Sequence, residues 1–197
     1  MSPYTRKMVS LLRYRLIPYK IIWGDPVFIL DQMKIEKPKP VLHPTFIIKS
    51  AGETAKAVTD STPIIRMLET AFQKRSTIPN NPVLAFINYL LEDFGDEWGT
   101  KFMFHYRWHD KQDIENAGTL LPLTSQPVVS DDVFDKMKKE ITERQIGRVW
   151  VVGSNKITAP LIDKSFKRFL VIMEKHLSAY PFLLGNRPSS SDFSFFG

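Results

Sequence analysis

The chain's 197 residues, 43% of them hydrophobic, allow one large domain or two small ones with an apolar core. Its 27 basic residues are dispersed among 21 acidic ones, so a net charge of +6 marks no nucleic-acid-binding face, and the absence of cysteine excludes disulfides, thiolate metal sites and a cysteine nucleophile. No run approaches the roughly 18 to 20 apolar residues of a membrane span, and the start lacks a secretory signal pattern, so a soluble, cytoplasmic protein without a membrane partner is expected.

Ser2 followed by Pro3 reads as a cap and a first helical residue, and Met8, Leu11 and Leu12 fall on one face, which predicts a helix over 3–15. Tyr19, Lys20, Ile21, Ile22 and Trp23 make a short strand candidate. The segment 26–39 mixes a weak helical turn with prolines and lysines and is expected to be an irregular, exposed connection. Thr45, Phe46, Ile47, Ile48 and Lys49 read as a strand, and the polar stretch 50–56, with Gly52, turns it into a second strand near 57–59. Asp60, Ser61 and Thr62 then open a helix in which Ile64, Ile65, Leu68 and Phe72 recur at helical spacing.

Residues 76–82 have the composition of an interdomain linker. Beyond it the chain is helical in character. Leu84, Ile87, Leu91, Phe94 and Trp98 continue one apolar stripe, interrupted only by Gly95 and Gly99. A proline-rich loop is expected over 120–130, a helix over 131–146, and a long apolar helix face from Ile162, Phe166, Phe169, Leu170, Met173 and Leu177. The order is a small α/β unit followed by a helical bundle. Near the end, Ser189 and Asp192 stand in the positions of a capping box. Few residues follow, so this last helix is expected not to bury its face and the chain to be cut off there.

Two polar helix starts, at Ser2 and at Asp60 with Ser61, flank the pre-proline residue His43 in sequence. A helix start presents unpaired N–H groups and the positive end of the macrodipole, and so suits an anion. The residue before a proline is held extended, with its backbone ready to pair with a peptide unit. Together they suggest a cradle for a small anionic, peptide-like ligand.

In this order the motifs resemble the glutathione S-transferase family. The resemblance rests on Ser2, Pro3, Tyr4, Thr5, Arg6 and Lys7 opening a helix, on His43, Pro44 and Thr45 before a strand with Asp60 and Ser61 after it, and on the stretch 181–192 with its capping box. It implies an α/β thioredoxin-like N-terminal domain, with its first strand missing, followed by an all-α helical-bundle domain. The expected boundaries are 1–75 for the thioredoxin-like glutathione-binding domain, 76–82 for the linker and 83–197 for an incomplete helical domain. The chain is thus expected to be truncated at both ends, and a homodimer is implied.

The resemblance makes Ser2 the residue that stabilises the glutathione thiolate, the alternative being a plain helix cap. It implies a cis peptide at His43–Pro44, with the His43 backbone pairing with the cysteinyl unit of glutathione. Asp60 would receive the α-ammonium and Ser61 the carboxylate of the γ-glutamyl end, the alternative again being an ordinary cap at Ser61 or Thr62. The activity implied is attack of the thiolate on an electrophilic, largely apolar small molecule, and the alternative is a non-catalytic binding or assembly module. A thiol reductase is disfavoured, because Ser2 forms no mixed disulfide. His105, His109 and Asp110 have helical metal-ligand spacing but no evident third partner, so no metal is expected. Tyr106, Arg107 and Trp108 are candidates for the wall of the second-substrate pocket or for packing.

Overall fold

The computed structural model describes residues 2–49, 52–125 and 128–196. Their contacts divide the chain into two compact units, residues 1–96 with 180–197, and residues 97–179.

In the first unit, helix α1 (Pro3–Arg15) starts at proline as its sequence predicts, and turns off through Leu16 in the left-handed conformation. Its buried face, Met8, Leu11 and Leu12, meets Ile64, Ile65 and Leu68 of α3 (Ser61–Ala71), with Ile17 and Phe193 completing the core. Strands β1 (Phe46–Ile48) and β2 (Lys56–Val58) pair antiparallel with Ile47 opposite Ala57, which is the expected hairpin. Part of its turn, at 50 and 51, lies outside the described residues.

Two expectations fail here. Residues 19–23 form no strand; Ile22 and Trp23 are exposed. Their side chains favour a strand, but a strand exists only through a hydrogen-bonded neighbour, and the sheet of the described residues consists of β1 and β2 alone. The segment expected to be irregular contains a helix instead, α2 (Pro26–Gln32), because Asp25 caps it through Val27 and Phe28 N–H and Pro26 supplies the first helical residue.

The segment expected to be the linker is held by hydrogen bonds at Thr77. Thr77 is buried, its N–H and hydroxyl both donate to Glu69, and its carbonyl accepts from Ser190 N. Glu69 in turn pairs with buried Arg15 at 3.1 Å.

Helix α4 (Pro82–Asp93), capped by Asn81, turns a polar pair inward, while of the expected apolar stripe Leu91 and Phe94 are half-buried and Leu84 and Ile87 exposed. Its buried residues are Asn88 and Glu92, whereas Leu84, Ile87, Val83, Phe86 and Leu90 are exposed. The continuation Phe94–Gly99 is π-helical, not a plain extension of the helix. Helix α9 (Ser190–Phe196) overturns the expectation that a terminal turn buries nothing: Ser190, Ser191, Phe193 and Ser194 are all buried. Three serines make its face small enough to lie close against α4 and α1. Half of the capping box forms: Asp192 accepts from the Ser189 N–H, while the Ser189 hydroxyl donates to the same carboxylate and the Asp192 N–H goes to the Ser189 carbonyl.

The close approach gives a direct test. A Cβ at Gly95 meets the Ser194 hydroxyl inside van der Waals contact and lies 3.2 Å from Ser194 Cβ and 3.3 Å from its backbone carbon. The hydroxyl can rotate away; the backbone cannot. Gly95→Ala is therefore expected to cost about 1–3 kcal/mol of overpacking, more than the ≲1 kcal/mol that alanine gains in helix propensity. Urea denaturation of the variant measures this, and an unchanged midpoint contradicts it.

The second unit contains α5 (Thr100–Trp108), α6 (Lys111–Ser125), α7 (Asp131–Ile146), a 3₁₀ turn (Val149–Val152) and α8 (Ala159–Ala179). The loop expected from residue 120 begins later, because α6 runs through Pro122 to Ser125; residues 126 and 127 lie outside the described residues. The expected apolar face of α8 is only half used: Phe166 packs on Phe102 and Tyr106 with ring centroids 5.4 and 5.1 Å away, while Leu170 and Leu177 remain exposed. Among the described residues no helix is long and apolar enough to cross a membrane.

Candidate functional site

The first turn of α1 meets the loop before β1. Ser2, the N-cap residue, does not cap with its side chain; its hydroxyl donates to the His43 carbonyl at 3.4 Å. The plain-cap alternative is thus not the arrangement found. The His43–Pro44 peptide is cis, as is Lys39–Pro40. Thr45 holds the loop by donating to the Leu42 carbonyl at 2.6 Å, and Thr59 ties it to β2 by donating to the Pro40 carbonyl at 3.2 Å. The His43 side chain is exposed and Pro44 is half-buried.

At the start of α3 the cap is Asp60, not Ser61 or Thr62. Its Oδ1 accepts from Thr62 N at 3.2 Å, and its backbone is left-handed, with φ 78°. Asp60 is exposed. Ser61 points the other way: it is buried, and its hydroxyl accepts from Lys7 Nζ at 3.1 Å. Ser2 and His43 are therefore in contact, and Lys7 links the first helix to Ser61.

Lys7 belongs to a buried cluster that the sequence reading missed. It is 1% exposed, and its ammonium donates to Ser61, to Glu92 at 3.0 Å and to Asp96 at 2.6 Å, so its three protons have three acceptors. Glu92 also accepts from Thr62, Arg66 and Ser190, and Asn88 joins α9 through Ser190 and the Ser191 N–H. Burial raises the Glu92 pKa, but Lys7, Ser190 and Arg66 together outweigh it and hold the carboxyl below its ordinary 4.5. At Asp96 burial wins over Lys7, and the neighbouring Glu92 charge adds to it, so the carboxyl titrates above its ordinary 3.8. A signal was present: Asn88, Glu92 and Asp96 recur every four residues, one polar stripe along a helix.

Residues 1–76 match the family described as glutathione S-transferase, N-terminal domain. This segment is a glutathione S-transferase N-terminal domain. The matched region contains Ser2, His43, Pro44, Asp60, Ser61 and Lys7. Its hairpin and flanking helices, followed by a helical region, fit a thioredoxin-like domain joined to an all-helical one. No curated protein is similar enough to add a relative to the comparison. The Lys7 cluster ties α1 to α3 and α4, and its members at Glu92 and Asp96 lie beyond the matched segment.

In the second unit, His105 is buried and its Nδ1 lies 2.7 Å from Ser154 Oγ, while its ring stacks on His109 at 4.6 Å. Burial, reinforced by His109, lowers its pKa. Among the described residues no group of three or more metal-ligating side chains is assembled. Tyr106 and Arg107 line a cavity of about 600 Å³; Trp108 does not, being 2% exposed and part of the core.

Proposed function

We propose that the chain binds glutathione at the α1, His43–Pro44 and α3 edge, and activates its thiolate for attack on an electrophilic, largely apolar second substrate. The observation that carries this reading is the contact of Ser2 Oγ with the His43 carbonyl, which joins the helix start to the pre-proline backbone across 41 residues of chain. A ligand thiolate entering there replaces that carbonyl as the acceptor of the Ser2 proton, while the His43 backbone pairs with the cysteinyl peptide unit. Asp60 keeps Oδ2 for the α-ammonium, since Oδ1 serves the cap. Ser61 contributes its backbone N–H at the helix start, because its hydroxyl serves Lys7. Rate comes from the activated nucleophile and from proximity. The exposed apolar face of α4, with Val83, Phe86, Ile87 and Leu90, offers a second copy a surface to cover in a homodimer.

The test is retention on immobilised glutathione together with turnover across a broad electrophile panel. Retention with conjugation is the expected result. Retention without turnover assigns the chain to the non-catalytic alternative, and absence of retention removes glutathione from the proposal.

A further inference from the structure

The cavity of the second unit has walls of one kind and a single cation of another. Phe102, Tyr106 and Phe166 form a tilted aromatic cluster, and Met103, Leu120 and Leu121 continue the apolar lining. The Tyr106 hydroxyl is turned aside, donating to Asp163 at 3.0 Å, so the ring rather than the phenol faces inward. Burial, then the Asp163 hydrogen bond and charge, push its pKa up to about 12, which keeps it neutral. Arg107 is half-buried on the same wall and makes no hydrogen bond or ion pair among the described residues, not even with Asp113 of the neighbouring helix, which also lines the cavity. A half-buried guanidinium over apolar surface, with its fork of donors unused, is complementary to a planar carboxylate.

We propose that this cavity binds a flat aromatic carboxylate, its rings against Phe102, Tyr106 and Phe166 and its carboxylate on Arg107. The volume of about 600 Å³ lies within the roughly 300–1,000 Å³ usual for small-molecule sites. The site lies wholly within the second unit and does not depend on the glutathione reading.

Equilibrium dialysis of the full chain, without glutathione, against 2-naphthoate and its neutral isostere 2-naphthamide tests it. Naphthoate is expected to bind saturably at one site and at least about tenfold more tightly than the amide, the order of discrimination a charge-assisted bidentate pair provides. Arg107→Met should abolish that difference, Arg107→Lys should keep part of it, and Leu120→Trp, which fills the cavity from an exposed position, should weaken both ligands. Circular dichroism checks that each variant is folded. Equal binding of acid and amide, no saturable binding of the acid, or naphthoate binding indifferent to Arg107→Met or to Leu120→Trp would overturn the proposal.

Discussion

Lys7→Met is expected to destabilise the first unit by about 3–5 kcal/mol, although methionine fills nearly the same volume. The cost arises from what is left behind. Glu92 is 1% exposed and Asp96 8%, so both carboxylates lose their shared cation where water cannot replace it. The pH dependence separates this from lost packing. In the native chain Glu92 titrates below 4.5, so its stabilising contribution is full above that value and is lost as pH falls through its lower folded pKa. Asp96 titrates above 3.8 and works in the opposite sense: its contribution is full below 3.8 and is lost as pH rises through its raised folded pKa. In the variant neither carboxyl has Lys7 to offset burial, so both move up. The variant's deficit should then be largest near neutral pH and shrink as the pH falls and the buried carboxyls take up protons. Adding Glu92→Gln and Asp96→Asn to Lys7→Met should recover part of the loss at neutral pH. Urea midpoints across the pH range read all three effects, and a pH-independent deficit would show that the cluster is not held by charge.

What the sequence made legible was whatever is decided locally. Pro3 after Ser2, the β-branched and aromatic run at 45–49, and the Asp192 carboxylate three residues after Ser189 each carry their own backbone instructions, and each element forms where expected. What stayed hidden was decided by partners far along the chain. Residues 19–23 have strand propensity but no neighbour to pair with. Helix α4 presents two competing stripes, the apolar one through Leu84, Ile87 and Leu91 and a polar one through Asn88 and Glu92. Hydrophobicity alone turns the first inward. The structure turns the second inward, because Lys7 from α1 and Ser190 from α9, 85 and 98 residues away from Glu92, are there to satisfy it. The same logic divides the candidate site. Ser2 and His43 were legible from motif order, whereas the inward turn of the Ser61 hydroxyl follows from Lys7, whose position in the first helix looks like an exposed lysine until its acceptors are known.

On the proposed reading, Ser2→Ala should lower glutathione conjugation by roughly 10- to 100-fold while leaving glutathione retention largely intact, since a hydrogen bond to an ion contributes about 1.5–3 kcal/mol. A thiol with an ordinary pKa near 8.5 needs about 2.7 kcal/mol of preference for its anion to ionise two units lower. The Ser2 hydroxyl, together with about 0.3–1 kcal/mol from the α1 start, is of that size without any general base. Its proton is directed to the His43 carbonyl, so transferring it to a thiolate at the same place costs one weak 3.4 Å bond. Alanine removes that donor and nothing buried, because Ser2 is only half-buried and its side chain caps nothing. The thiolate absorption of bound glutathione should therefore appear one to two pH units higher in the variant, by roughly the same 1.5–3 kcal/mol. The rate deficit should close as pH rises past the ordinary thiol pKa, where the anion forms unaided. A rate deficit that persists unchanged at high pH would assign Ser2 to positioning instead, and an unchanged rate at all pH values would remove it from the reaction.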